Sequence, residues 1–135
     1  MNDGATVIVV GWTPDEFGEA ALHRGVEEAR LRGGRVVVVN ATRGDALVDD
    51  RFADEEQLAR LTTELSTSGV EVDVRRSIGA DVGDQVLAVA DDVSADLVVI
   101  GLRRRSPVGK LLMGSVAQRI LLGAECAVLA VKPAG

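Results

Sequence analysis

Short apolar runs alternate along this chain with longer amphipathic stretches. Val7-Ile8-Val9-Val10 is continuous and β-branched, the pattern of a strand buried on both faces. Thr13, Pro14 and Glu16 then fit the N-cap, N1 and N3 positions of a capping box. They predict a helix from about Pro14 to Arg32, with Ala20, Ala21, Val26 and Ala29 for packing and Gly33-Gly34 as its stop. Arg35 to Asn40 reads as a second strand, and the polar stretch 42–51 as a loop. A second helix is expected over about Phe52 to Ser68, with Leu58, Leu61 and Leu65 on one face and Gly69 closing it. Val70 to Val74 alternates with period two, as an edge strand does. Asp81 caps a third helix with Asp84 at N3, and Leu97 to Ile100 forms a fourth strand. Ser115 with Gln118 suggests a second capping box, starting a helix that ends at Gly123. Cys126 to Val131 completes the pattern as a fifth strand.

Strict alternation of strand and helix implies a parallel sheet with right-handed crossovers and helices on both faces. Ligands of such sheets bind beyond the carboxyl ends of the strands, where strand order reverses. The loops after strands one and four are the ones to inspect if those strands are neighbours.

Composition narrows the possibilities. At 135 residues the chain is expected to be one domain. Its aromatics are Trp12, Phe17 and Phe52, so Val, Leu, Ile and Ala must fill the core. A net charge of −6 and few stacking side chains argue against nonspecific nucleic-acid binding. Cys126 is the one cysteine and His23 the one histidine, which excludes a disulfide framework and the usual zinc sets. No apolar run approaches the roughly 18–20 residues of a membrane span. The start, Met1-Asn2-Asp3-Gly4, lacks a signal-peptide pattern, so a cytoplasmic location is expected.

Charge is distributed unevenly. Arg103, Arg104, Arg105, Lys110 and Arg119 fall between Gly101 and Arg119 with no acidic residue among them, in a chain of 15 basic and 21 acidic residues. This basic, glycine-containing loop leads into the start of the fourth helix. Free backbone N–H groups and the helix dipole there favour an anion. The alternative is a solvated loop whose arginines pair with the protein's own carboxylates. Gly109-Lys110 does not complete a P-loop, because position 104 is Arg and position 111 is Leu. His23 lies within a helix pattern and Cys126 begins a strand, so neither reads as a nucleophilic centre. The Asp45, Asp49 and Asp50 cluster reads as a solvated acidic loop before it reads as a cation site.

Gly101, Gly114 and Ser115, the closing run Cys126-Ala127-Val128-Leu129-Ala130-Val131-Lys132-Pro133 and the spacing from Gly79 to Gly101 resemble the universal stress protein family over essentially the full chain. The resemblance implies a five-stranded sheet in the order 3-2-1-4-5, a frequent homodimer through the strand-five edge and, in some members, an adenine nucleotide. That nucleotide would be ATP or a relative, with or without Mg²⁺. Gly101, Arg103, Arg104, Gly109, Lys110, Gly114, Ser115 and Val116 would form the phosphate side. Gly11, Trp12, Thr13 and Asn40 would approach base and ribose. Two positions depart from the family pattern: Thr13 stands where an acid is usual, and Arg104 where a glycine is usual. The expected role is a stress-response sensor or regulator, with at most slow hydrolysis. The competing reading is a nucleotide-free dimeric module whose Arg-rich loop binds a protein partner or another anion. Trp12 could equally cover the sheet end, and Asn40 could equally end its strand as a turn residue.

Overall fold

The computed structural model describes residues 5–43, 53–102 and 114–133. Among the described residues nine elements alternate: β1 (Val7–Gly11), α1 (Glu16–Arg32), β2 (Arg35–Thr42), α2 (Glu55–Ser66), β3 (Val72–Ile78), α3 (Val82–Asp92), β4 (Leu97–Gly101), α4 (Ser115–Gly123) and β5 (Ala127–Val131). The strands form one parallel sheet in the order β3-β2-β1-β4-β5. The chain runs outward from β1 to one edge, crosses back, and builds the other edge from β4. The switch point therefore lies between β1 and β4.

The two faces of β1 explain why the sheet is covered on both sides. Ile8 and Val10 join one core cluster with Ala21, Leu22, Val26 and Ala29 of α1 and Leu61 and Leu65 of α2. Val7 and Val9 join another with Val86 and Ala90 of α3 and Ala117 and Ile120 of α4. Each of these four β1 residues is fully buried, and burying one such side chain contributes roughly 1.5–3 kcal/mol. At Gly25, a Cβ would collide with the Val10 side chain, so α1 lies close against β1 because this residue is glycine.

The helix starts differ from expectation in an instructive way. Asp15, not Thr13, is the N-cap of α1. Its Oδ1 accepts hydrogen bonds from the Phe17 N–H at 3.1 Å, the Gly18 N–H at 3.0 Å and the Thr13 hydroxyl at 2.7 Å. A carboxylate is the stronger acceptor. Asp54 and Gln57 form a reciprocal capping box on α2, which starts three residues later than expected. Asp81 caps α3 as anticipated, by accepting from the Asp84 N–H at 2.9 Å. Gly114 is the N-cap of α4, and Ser115 is its first helical residue rather than its cap. β3 is an edge strand, as its alternation suggests, but extends to Ile78. Arg75 to Ile78 pair with Val39 to Thr42, and that backbone ladder does not require apolar side chains.

Candidate functional site

A pocket of about 160 Å³ opens at the switch point. Gly11 and Thr13 approach it from the end of β1, Ile100 and Gly101 from the end of β4, and Gly114 to Ala117 from the start of α4. Val86 and Ile120 supply an apolar wall, and Phe17 and Gly18 close it from α1.

Glycine shapes this pocket in two distinct ways. A Cβ on Gly11 would meet the Ile100 Cγ2 at 3.4 Å and the Val86 Cγ2 at 4.0 Å, both ordinary contacts. The absence of that carbon leaves space between pocket-lining side chains. A Cβ on Gly101 would instead overlap the Phe17 carbonyl oxygen. Gly101 thus lets the first turn of α1 rest directly on the end of β4.

The start of α4 contributes donors. The first N–H groups of any helix lack intrahelical partners and carry the positive end of its dipole. In α1, α2 and α3 an Asp side chain answers some of them. Gly114 provides no side-chain cap hydrogen bond, so α4 begins without that compensation at the edge of the pocket.

Of the residues singled out from sequence, Gly11, Thr13, Gly101, Gly114, Ser115 and Val116 line this pocket together. Arg103, Arg104, Gly109 and Lys110 lie outside the described residues, as do Arg105 and the Asp45, Asp49 and Asp50 cluster. Trp12 and Asn40 line other surroundings. Asn40 is fully buried within β2; its side-chain amide donates to the Trp12 carbonyl at 3.0 Å and accepts from the Ala53 N–H at 2.7 Å. It thereby ties the end of β1 to the approach to α2. The Trp12 side chain belongs to the α1 and α2 face of the sheet. Arg119, the described member of the basic island within α4, pairs with Asp84 at 2.6 Å, and this hydrogen bond raises its pKa above the ordinary value. Phe17, Gly18, Val86, Ile100, Ala117 and Ile120 were not anticipated as pocket residues. Gly18, a glycine within the first turn of a helix, was the legible signal that something approaches closely there.

Among the described residues, no group of three or more His, Cys, Asp or Glu is placed to share a metal ion. His23 is exposed on α1. Burial, followed by the nearby charges of Asp96 and Asp91, pushes the Cys126 thiol pKa up, which disfavours the reactive thiolate. No described helix is long and apolar enough to cross a membrane.

The sheet order and the cleft between the ends of β1 and β4 define a Rossmann-like α/β protein with a pocket at its switch point. The model of the universal stress protein family matches residues 4–132. A universal stress protein from Mycolicibacterium smegmatis is 49% identical over 129 residues, which cover 96% of this chain and 99% of that relative. The structure of a universal stress protein from Archaeoglobus fulgidus superposes with a TM-score of 0.78 at 33% identity, covering 95% of this chain and 98% of that one. A universal stress protein from the same organism in complex with dAMP gives a TM-score of 0.66 at 28% identity, over the same shares of each chain. The chain belongs to the universal stress protein family.

Proposed function

We propose that the switch-point pocket binds an adenine nucleotide, and that this protein is a regulatory nucleotide-binding protein of the cytoplasm. The observation that carries the reading is the start of α4. Three helices have an aspartate cap, whereas the fourth, among the described residues, has no side-chain cap hydrogen bond and opens onto a pocket. A phosphate is the natural complement of unpaired helix-start donors. The related dAMP complex supports the same ligand class.

The Gly114 and Ser115 N–H groups and the Ser115 hydroxyl would take phosphate, with Val116 beside them. Arg103, Arg104, Gly109 and Lys110 would reach it from the preceding segment. Gly11 and Thr13 would meet the ribose, and Val86 and Ile100 offer an apolar surface to whatever part of the nucleotide lies deepest. Trp12 and Asn40 would act by holding the β1 end in place. At about 160 Å³, the pocket is smaller than the roughly 300–1,000 Å³ of typical ligand sites. It would hold one portion of a nucleotide, the remainder extending over its mouth.

When bound, Mg²⁺ would supply countercharge to an ATP triphosphate. The Thr13 hydroxyl already donates to Asp15 Oδ1, and that carboxylate is occupied by the helix cap. This arrangement suits retention of a nucleotide better than rapid hydrolysis. Occupancy would then alter the surface around the pocket, which fits a sensor.

A homodimer through β5 belongs to the same reading. β5 is an edge strand with half-exposed Val128 and Leu129, and unpaired edges invite a second strand. Sedimentation should give a dimer mass; a monomer at micromolar concentration would overturn this part.

Calorimetric titration with ATP, AMP and dAMP, with and without Mg²⁺, tests the main proposal. Saturable binding of at least one is expected. Absence of binding to folded protein would favour the nucleotide-free interaction module.

A further inference from the structure

A glycine inside a folded chain usually answers to a turn or to a close approach of neighbouring atoms. Gly33 and Gly69 have positive φ. At every other described glycine but two, a Cβ would stand 3.0 Å or less from a neighbouring atom. The two exceptions, Gly11 and Gly114, both line the switch-point pocket. Gly114 is the N-cap of α4, where the phosphate is placed above. Gly11 has no such position at a helix start. It belongs to β1, in register with Val39 on one side and Ile100 on the other, and its φ is not positive. A Cβ there would sit 3.4 Å from the Ile100 Cγ2 and 4.0 Å from the Val86 Cγ2 and the Val99 carbonyl oxygen. These are ordinary contacts, so the fold accepts alanine at position 11. Glycine at a strand position lacks packing and loses more chain entropy on folding. The notch it leaves faces the pocket.

Size decides what fills that notch. The pocket holds about 160 Å³, below the roughly 300–1,000 Å³ of typical ligand sites. With a phosphate on the Gly114 and Ser115 N–H groups, the group that spans so short a space is the one bonded to the phosphate, the sugar ring. Its C–H face suits the methyl groups of Val86 and Ile100. Resting on the nucleotide reading above, we propose that Gly11 is the specificity-determining residue of this pocket. The pentose ring of a 5′-phosphorylated ligand packs on the bare Gly11 backbone, in the space a Cβ would occupy. One methyl group at position 11 therefore excludes the sugar and leaves the phosphate position open. Gly101 lines the same pocket but differs in kind, because the Phe17 carbonyl already fills the space beside it.

The test compares wild type with Gly11→Ala by nitrogen-15 correlation spectra, following the Ser115 N–H signal. The probes are AMP, ribose 5-phosphate and inorganic phosphate, at matched ionic strength. Wild type should bind both sugar phosphates. Gly11→Ala should weaken each by about tenfold or more, the effect of forcing a methyl group into a filled space. Its affinity for inorganic phosphate should stay within about twofold of wild type, and its Tm should equal or exceed that of wild type, as for glycine replaced without strain. Wild type and variant binding the sugar phosphates equally would overturn this proposal and leave the nucleotide reading standing. So would equal losses for all three probes, a lowered Tm, or a wild type that binds AMP but not ribose 5-phosphate. A wild type that binds neither sugar phosphate would overturn both.

Discussion

Gly18→Ala is a test of the turn that borders the switch-point pocket, because simple helix propensity and the observed packing predict opposite signs. Alanine in a helix interior is favoured over glycine by about 1 kcal/mol. In this structure a Cβ at position 18 would overlap the Thr13 carbonyl oxygen and stand 2.7 Å from the carbonyl carbon. The optimum for carbon pairs is about 3.5–4.0 Å, so backbone must move by about 1 Å. It cannot move freely. The Asp15 carboxylate holds Thr13, Phe17 and Gly18 at once, and the Asp15 N–H donates to the Thr13 carbonyl at 2.8 Å. Overpacking of this kind costs about 1–3 kcal/mol or more, and weakening the cap adds about 1 kcal/mol. After the propensity gain, the net loss is about 1–3 kcal/mol, or a fall of roughly 3–12 °C in Tm for a chain of this size. Thermal unfolding followed by circular dichroism measures it directly. A variant as stable as wild type, or more stable, would refute the claim that Thr13 is clamped against α1.

Other expectations follow from single features. Asp15→Ala should lose about 1 kcal/mol or somewhat more by denaturant unfolding, since its carboxylate answers three donors; Ser115→Ala should be nearly neutral, and equal losses would contradict the assigned caps. Asn40→Ala strands the Trp12 carbonyl and the Ala53 N–H in a buried site, for a predicted loss of about 2–4 kcal/mol that a neutral result would disprove. Because the Glu19 pKa is raised by folding, the folded chain holds more protons than the unfolded one between the two values, and this group opposes folding increasingly as pH rises through that window. Glu19→Gln should therefore raise Tm at neutral pH and lose that advantage in acid, where both forms are protonated; an equal gain at both would refute the assignment. Cys126 should alkylate more slowly at neutral pH than a free thiol, given its raised pKa, and a fast rate would count against its partial burial.

The strands were readable because each central one is buried on both faces and must be apolar throughout, as Val7 to Val10 and Leu97 to Ile100 are. Gly33, at φ 65°, is the C-cap of α1, so that end was legible; α2 instead ends at Ser66 with Thr67 as its C-cap, two residues before the expected Ser68, and Gly69, at φ 82°, lies beyond it. The α1 start was harder: Thr13 and Asp15 are both capping residues on either side of Pro14, and the choice depends on how many donors one carboxylate can gather. Asn40 looked like a strand terminus, but β2 continues to Thr42 along its ladder with β3, leaving the amide buried and bridging two loops. Side-chain alternation at Trp12 places the indole with Ile8 and Val10, away from the switch-point pocket. Six of the site residues expected from sequence converge on that pocket. Its apolar wall comes from Val86 and Ile120, whose helical positions announce only core packing.

The most direct test of the central claim compares AMP with adenosine on the backbone N–H signals of Gly114 and Ser115. Phosphate at the start of α4 predicts that AMP moves both signals to saturation while adenosine leaves them nearly in place. AMP that binds without moving them, or adenosine that moves them equally, would contradict the assignment of the phosphate to this helix start.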